Sequence, residues 1–288
     1  MSITLRKLSL EEFPPQLLEI PQPPKELWLA GVLPSPETVL LAVVGARKHS
    51  PYGREACEML IESLRGYDIA IVSGLALGID SIAHETAMKA GLPTIAVPGS
   101  GLDPKVLYPR SHLRLAERIL QNGGALLSEF VPDTAAAPWT FPQRNRIMAG
   151  LARATLIIEA EEKSGTLITA RLATDYNRDV FAVPGSIFSS LSKGPNKLIE
   201  LGATPIRSSE DILQALGFSI DDEDTQATFD FSGLSEIEQK VMEALTAPKQ
   251  RDLLIEELAL ETSAGNILFM KMEIAGLIKE TREGLRRA

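Results

Sequence analysis

Residues Val39 to His84 read VLLAVVGARKHSPYGREACEMLIESLRGYDIAIVSGLALGIDSIAH, and this stretch decides the fold. It holds two strand-to-helix turns, each ending an apolar run with a glycine. Leu40-Leu41-Ala42-Val43-Val44 is short and unbroken, as a strand buried on both faces of a parallel sheet requires. Gly45-Ala46-Arg47 stops it, and between Gly53 and Arg65 the apolar Ala56, Leu60 and Leu64 fall at helical spacing. The pattern then repeats: Ile69-Ala70-Ile71-Val72 stops at Ser73-Gly74, and Ile79, Ile82, Ala83, Thr86 and Ala90 mark one face of a second helix. In such units the strand ends and helix N-termini share a crevice whose free backbone N–H groups suit anions such as phosphate. Arg47 stands at the lip of that crevice.

Outward from this stretch, strands and helical segments keep alternating to about Gly217. Thr94-Ile95-Ala96-Val97 leads into the turn PGSGLDPKVLYP, and a helix follows with Leu113, Ala116 and Leu120 on one face. Ala125–Ser128, Thr155–Glu159 and Asp179–Val183 read as further strands, a helix runs from about Thr166 to Asn177, and Ala203–Ile206 closes the sheet. The pattern predicts an α/β protein with an extended, Rossmann-like, doubly wound and mainly parallel sheet over residues 39–217. Residues 1–38 carry seven prolines and read as an extended lead-in strapped to the domain edge. Residues 218–232 are acidic, lack helical periodicity and read as a linker. Over 233–288, three short helices (Leu234–Leu245, Arg251–Leu260, Thr262–Ile274) and a two-stranded turn around Gly284 outline a small winged-helix-like domain.

Composition narrows the function. No apolar run approaches the roughly 18–20 residues that span a bilayer, and MSITLRKLSLEEFPP has no signal-peptide core. A single cysteine, Cys57, excludes an internal disulfide and fits a reducing cytoplasm. Three histidines without ligand spacing argue against a metal. The net charge of −9 looks wrong for a nucleic-acid binder, but residues 37–217 hold 18 basic and 19 acidic residues. The excess acid lies outside the central domain, which leaves room there for a local basic groove.

Several turns carry candidate chemistry, all at predicted C-terminal strand ends. Gly45 and Arg47 form the first, and Ser73 and Gly74 the second. The PGSG turn adds two glycines, with Tyr108 and Arg110 close behind. None is a Walker A loop or a GxGxxG fingerprint, so a nucleoside triphosphatase or ordinary dinucleotide enzyme is poorly supported. Phe141-Pro142-Gln143-Arg144-Asn145-Arg146 places two guanidinium groups and an amide before an apolar helix predicted from Ile147; forked arginines match phosphate oxygens and Phe141 can stack on a base. The bland alternative is a helix start with surface arginines. Lys163-Ser164-Gly165-Thr166 opens the next helix as a phosphate cradle or as a simple cap. His84 reads as a packed, hydrogen-bonded histidine, and the trio Glu159, Glu161 and Glu162 as solvated carboxylates at a strand end.

VVGARKHSPYG, SGLALGIDSIAH, TIAVPGSGLDPKVLYP, LLSEF, FPQRNRIMAGLA, EAEEKSGTLITA and DVFAVPG stand in the order of a bacterial family that the chain resembles, DNA-processing protein A (DprA, also called Smf). The resemblance implies an extended Rossmann-like sheet, often with a C-terminal winged helix. It implies a protein without catalysis or cofactor, which binds single-stranded DNA over this sheet, protects incoming DNA during natural transformation and helps load RecA recombinase. On it, Arg47, Arg144, Arg146 and Lys163 become the leading DNA contacts. Gly45, Ser73, Gly74, Ser164, Gly165 and Thr166 become backbone and hydroxyl contacts to phosphate, with Arg110 beside them and Phe141 as a stacking partner. A homodimer is implied as well. Two departures stand out: the first 38 residues are too few for the helical domain many members carry in front, and Ala46 replaces a commonly hydroxyl-bearing residue.

The rival expectation is a nucleotide-processing, phosphoribohydrolase-like enzyme, in which Glu159, Glu161 and Glu162 beside KSGT act on a nucleoside monophosphate; that family's PGGxGT loop is absent. The C-terminal domain favours protein contact over duplex readout. TSAGNILFMKMEI carries one base, Lys271, and its Ile267, Leu268, Phe269, Met270, Met272 and Ile274 cannot all face inward, while basic residues collect near the turn at Lys279, Arg282, Arg286 and Arg287.

Overall fold

The computed structural model describes residues 4–219, 234–245, 249–281 and 284–287. The acidic stretch 220–232 and Arg282 lie outside the described residues. The chain divides into two units, Met1–Ile220 and Asp221–Ala288.

The first unit is built on a nine-stranded sheet: β1 (Arg6–Lys7), β2 (Trp28–Gly31), β3 (Val39–Val44), β4 (Ile69–Ser73), β5 (Thr94–Ala96), β6 (Ala125–Ser128), β7 (Ala154–Ile157), β8 (Asp179–Ala182) and β9 (Thr204–Pro205). Their spatial order is β1-β2-β6-β5-β4-β3-β7-β8-β9. From β6 to β9 every pairing is parallel, and β1 and β2 add an antiparallel edge. The helices are α1 (Pro15–Leu18), α2 (Pro51–Glu62), α3 (Ile79–Ala90), α4 (Leu113–Gln121), α5 (Thr140–Leu151), α6 (Gly165–Asp175), α7 (Lys193–Glu200) and α8 (Ser209–Leu216). Alternate residues of β3 point to opposite faces of the sheet. Leu41 and Val43 join the core formed with Leu60, Ile82 and Leu213, whereas Leu40, Ala42 and Val44 join the one formed with Ile147, Leu151 and Ala170. Both faces are buried, so the run reads as continuously apolar.

The proline-rich lead-in does more than lie along an edge. It supplies β1 and β2, and Leu8, Phe13, Leu17 and Leu27 are buried in the core beneath α5. A second difference concerns α5, which begins at Thr140 instead of Ile147. Pro142 falls in the first turn, where a helix has no use for the missing N–H, so the whole FPQRNR segment is helical.

The second unit holds α9 (Glu236–Ala244), α10 (Arg251–Glu257), α11 (Thr262–Ile274) and an antiparallel hairpin, β10 (Ile278–Thr281) with β11 (Gly284–Arg287). Phe269 and Met272 of α11 enter its core with Val241, Leu254 and Leu285, while Ile267, Met270 and Ile274 remain exposed. The apolar residues of α11 are therefore split between two faces. Among the described residues no helix is long and apolar enough to cross a membrane, and no group of three His, Cys, Asp or Glu side chains could hold a metal ion.

Candidate nucleic-acid interface

The strand order reverses direction between β3 and β7, the point at which open α/β sheets leave a crevice beyond their C-terminal ends. A crevice of about 460 Å³ lies there. Five segments wall it: Val44–Lys48 at the end of β3, Ala76 and Asp80 around the start of α3, Phe141, Arg144, Asn145 and Met148 of α5, Glu161 with Lys163–Thr166 and Thr169 at the start of α6, and Leu191 before α7.

The floor is set by buried polar groups. Asp80 accepts hydrogen bonds from the Gly74 amide at 3.0 Å and the Ala76 amide at 3.3 Å. Burial pushes its carboxyl above the usual carboxylate range, and the Arg144 guanidinium opposes that rise. Arg144 is only 6% exposed. It donates to the carbonyls of Gly74 and Val97, bracing the ends of β4 and β5, and through Nε to Asn145 Oδ1 at 3.0 Å. Burial brings the guanidinium down to about 10, still protonated at neutral pH, with Asp80 working the other way.

Gly78 holds the crevice rim in place. Its φ of +84° is costly for any other residue, and a Cβ there would strike the carbonyl oxygens of Ala46 and Arg47. The next amide, Ile79 N, donates to Ala46 O at 3.2 Å, so the start of α3 and the Gly-Ala-Arg turn are set against each other. Gly78→Ala is expected to lower stability by about 1–3 kcal/mol and to weaken binding at the crevice as the turn shifts. Thermal melting alongside an oligonucleotide titration checks this, and unchanged values in both would show that the turn is held by something else.

At the mouth, Arg47 places its guanidinium carbon 5.5 Å from the Phe141 ring centroid. Phe141 in turn meets Tyr108 edge-on, with centroids 5.6 Å apart and planes at 62°. Arg47, Lys48 and Lys163 are exposed and none appears in an ion pair among the described residues. Elsewhere on this unit most arginines are matched to acids, as in Arg54–Glu58 and Arg118–Glu85. Across the crevice Ser164 caps α6 by accepting from Thr166 N at 3.2 Å, and the Thr166 hydroxyl donates to Gly45 O at 3.3 Å. A Cβ on Gly165 would stand in open space, so no protein packing explains the glycine there; it leaves the helix start open to approach.

Of the twelve residues singled out from sequence, Gly45, Arg47, Phe141, Arg144, Lys163, Ser164, Gly165 and Thr166 line the crevice. The others do not. Ser73 is buried and donates its hydroxyl to Val43 O at 2.6 Å. Gly74 has its amide taken by Asp80 and borders only a small hollow beside Tyr108 and Phe141. Arg110 donates to Lys105 O at 3.0 Å outside the crevice. Arg146 pairs with Glu129 and the Gln22 carbonyl in a separate cleft. Two residues apart on a helix, Arg144 and Arg146 point about 200° apart, so one segment cannot bring both to one ligand. Arg144 reaches the wall, but the guanidinium nitrogens above bond to the protein.

Glu159 departs from expectation in the other direction. It is 2% exposed and accepts from Ser50 N at 2.9 Å and Ser50 Oγ at 2.5 Å. It packs so closely on Gly53 that a Cβ there would overlap it. A carboxylate at the start of α2 is favoured by the helix dipole, so Glu159 anchors that helix, while Glu161 and Glu162 remain exposed. His84 is buried as expected: Nδ1 lies 2.7 Å from Thr94 Oγ1, whose own proton goes to Ile71 O. The ring therefore carries its proton on Nδ1, and burial lowers its pKa to about 3, keeping it neutral.

Sequence reasoning missed Lys48, Asp80 and Leu191 in the crevice wall, and brought Glu161 there only through the rival enzyme reading. Lys48 adjoins the Gly-Ala-Arg turn and Asp80 is the acid in the first turn of α3, so both carried a local signal. Leu191 carried none, because only the return of the chain after β8 brings it there.

The fold and site together define a Rossmann-like α/β protein with an anion-suited, aromatic-edged crevice at its topological switch point. The model of one family, DNA recombination-mediator protein A, matches residues 5–217. The chain belongs to that family. It is 43% identical over 210 residues to Protein Smf of Escherichia coli, covering 73% of this chain but only 56% of that relative. It is also 43% identical over 206 residues to DNA processing protein DprA of Streptococcus pneumoniae, covering 72% of each. Among solved structures, the S. pneumoniae DprA superposes with a TM-score of 0.68 at 38% identity over 76% of each chain. The Helicobacter pylori DNA processing protein A, a structure described for its single-stranded DNA binding mode, gives 0.66 at 30% identity over 75% of this chain and 98% of that one.

Proposed function

We propose that the chain binds single-stranded DNA in the crevice between β3 and β7 and acts in DNA processing during natural transformation, protecting the strand and helping to load RecA recombinase. In this reading the protein works in the cytoplasm as a homodimer. One observation carries the binding claim: Arg47, Lys48 and Lys163, all exposed and outside any ion pair among the described residues, converge on a crevice edged by Phe141 and Tyr108. Unpaired cations neutralise phosphates without reading sequence, and a ring at the edge stacks on any base. Family membership and the single-stranded DNA binding described for the H. pylori relative support the same reading.

The rival phosphoribohydrolase-like reading loses one of its three carboxylates, since Glu159 is committed to Ser50 at the start of α2, and keeps Glu161 on the crevice wall. Release of free base from a nucleoside monophosphate by the purified protein would restore it. The direct test is a salt titration of fluorescent oligo-dT against duplex of equal length. Three phosphate contacts give a slope of log K on log salt of about −2 for the single strand. Equal affinity for duplex, or no binding at low salt, removes the proposal.

A further inference from the structure

The crevice wall continues past Leu191 into a loop whose most prominent side chains are apolar. After β8 the chain runs through Pro184-Gly185-Ser186-Ile187-Phe188-Ser189 to the short turn before α7. Phe188 is 93% exposed and Ile187 80% exposed. Single exposed apolar residues need no explanation. An adjacent pair this open, at the same sheet edge as the crevice, is a different matter.

The loop is pinned at both ends. The Tyr52 hydroxyl donates to Pro184 O at 2.6 Å. Asn196 holds Gly185 from both sides, accepting from its amide at 3.2 Å and donating to its carbonyl at 3.0 Å. Within the loop Ser189 N donates to Ser186 O at 3.0 Å and Phe188 N to the Ser186 hydroxyl at 3.3 Å. At the far end Ala160 N donates to Leu191 O at 2.8 Å, which ties the turn to the segment leading to Glu161 and Lys163. The ring is thus presented by an anchored loop, which lowers the entropy lost when a ligand settles on it.

Position supplies the occupant. Leu191 lines the crevice, and three residues of chain put the Phe188 Cα within about 11 Å of the Leu191 Cα. Lys163 precedes this stretch on the crevice rim and Lys193 follows it at the start of α7; both are exposed, and neither has an ion pair among the described residues. Serines fill the intervening positions, Ser186, Ser189 and Ser190. Rings for bases, lysines for phosphates and hydroxyls between them are what a single strand meets along a protein groove.

We infer that Phe188, with Ile187 beside it, is a second stacking platform that carries single-stranded DNA out of the crevice along the sheet edge beyond β8. This rests on the crevice being the DNA site. The platform lengthens the strand contacted without adding sequence preference, and Lys193 takes the phosphate next to it.

The test compares Phe188→Ala with Arg47→Glu on oligo-dT of about 5 and about 15 nucleotides, within the span of single-strand sites. Phe188→Ala is expected to weaken the longer oligomer by about 5- to 100-fold and to leave the shorter one unchanged. Phe188→Trp keeps the long-oligomer affinity and adds fluorescence that is quenched when DNA binds. Since the side chain is exposed, both variants keep the parent melting temperature. If Arg47→Glu weakens both oligomers while Phe188→Ala weakens neither, the platform is wrong and the crevice stands. If Arg47→Glu is also silent, the crevice reading falls and the platform with it. A lower mass by analytical ultracentrifugation in Phe188→Ala, with both oligomers weakened alike, overturns the platform in favour of contact between two copies of the chain.

Discussion

Arg144→Met is expected to lower the unfolding free energy of the first unit by about 3–5 kcal/mol, the range for removing one partner of a buried charge pair. Three costs add up at this position. The carbonyls of Gly74 and Val97 lose their shared donor, Asn145 Oδ1 loses the Nε bond, and Asp80 keeps a buried carboxyl without its cationic neighbour. Methionine fills much of the volume, so the loss is polar and not a cavity effect. For a unit of this size the melting temperature should drop by about 10 °C. Asp80→Asn is the informative companion. An amide oxygen still accepts from the Gly74 and Ala76 amides, so its penalty should be clearly smaller than that of Arg144→Met. A denaturant melt showing equal stability for Arg144→Met and the parent would mean that the brace between β4 and β5 carries no weight.

Reversing the charge at the mouth has the second large effect, on binding and not on folding. Arg47→Glu together with Lys163→Glu should weaken single-stranded DNA binding by at least about 100-fold at moderate salt and flatten the salt slope by about 1.4, one phosphate contact for each residue. Arg47→Glu also removes the cation over the Phe141 ring, so a stacked base loses part of its support. Both side chains are exposed, and no ion pair is recorded for either among the described residues, so the melting temperature should hold. The pairing of lost affinity with retained stability separates these positions from Arg144, where stability falls first. Fluorescence anisotropy across a salt series reads the outcome, and parent-like affinity in the double variant would move the site elsewhere on the molecule.

The two arginines of FPQRNR show where reading by segment runs out. Sequence placed both in one basic cluster, because adjacent positions in a chain look adjacent in space. Once Pro142 is accommodated in the first turn of α5, a two-residue spacing sends Arg144 under the crevice and Arg146 toward Glu129 and the Gln22 carbonyl. Ser73 and Gly74 read as contacts because they follow directly on an apolar strand run. They do sit at a strand end, but their polar groups turn inward to Val43 and Asp80.

What the sequence determined by itself was the sheet and the edge that matters. Unbroken apolar runs ending at Gly45, Gly74 and Pro98, each followed by helical periodicity, leave few arrangements other than a parallel sheet with its turns on one side. Local signals of that kind also located Arg47, Lys163 and the Ser164 cap, because turn chemistry and capping are decided within a few residues. Only the tertiary structure decided which charges face solvent and which are spent on the protein. Glu159 reads as a solvated acid until Ser50, more than a hundred residues earlier, is set against it. Arg144 reads as a free cation until carbonyls from two other strand ends converge on it. The role of a polar side chain depends on what surrounds it in a low-dielectric interior, and its partners there come from distant parts of the chain.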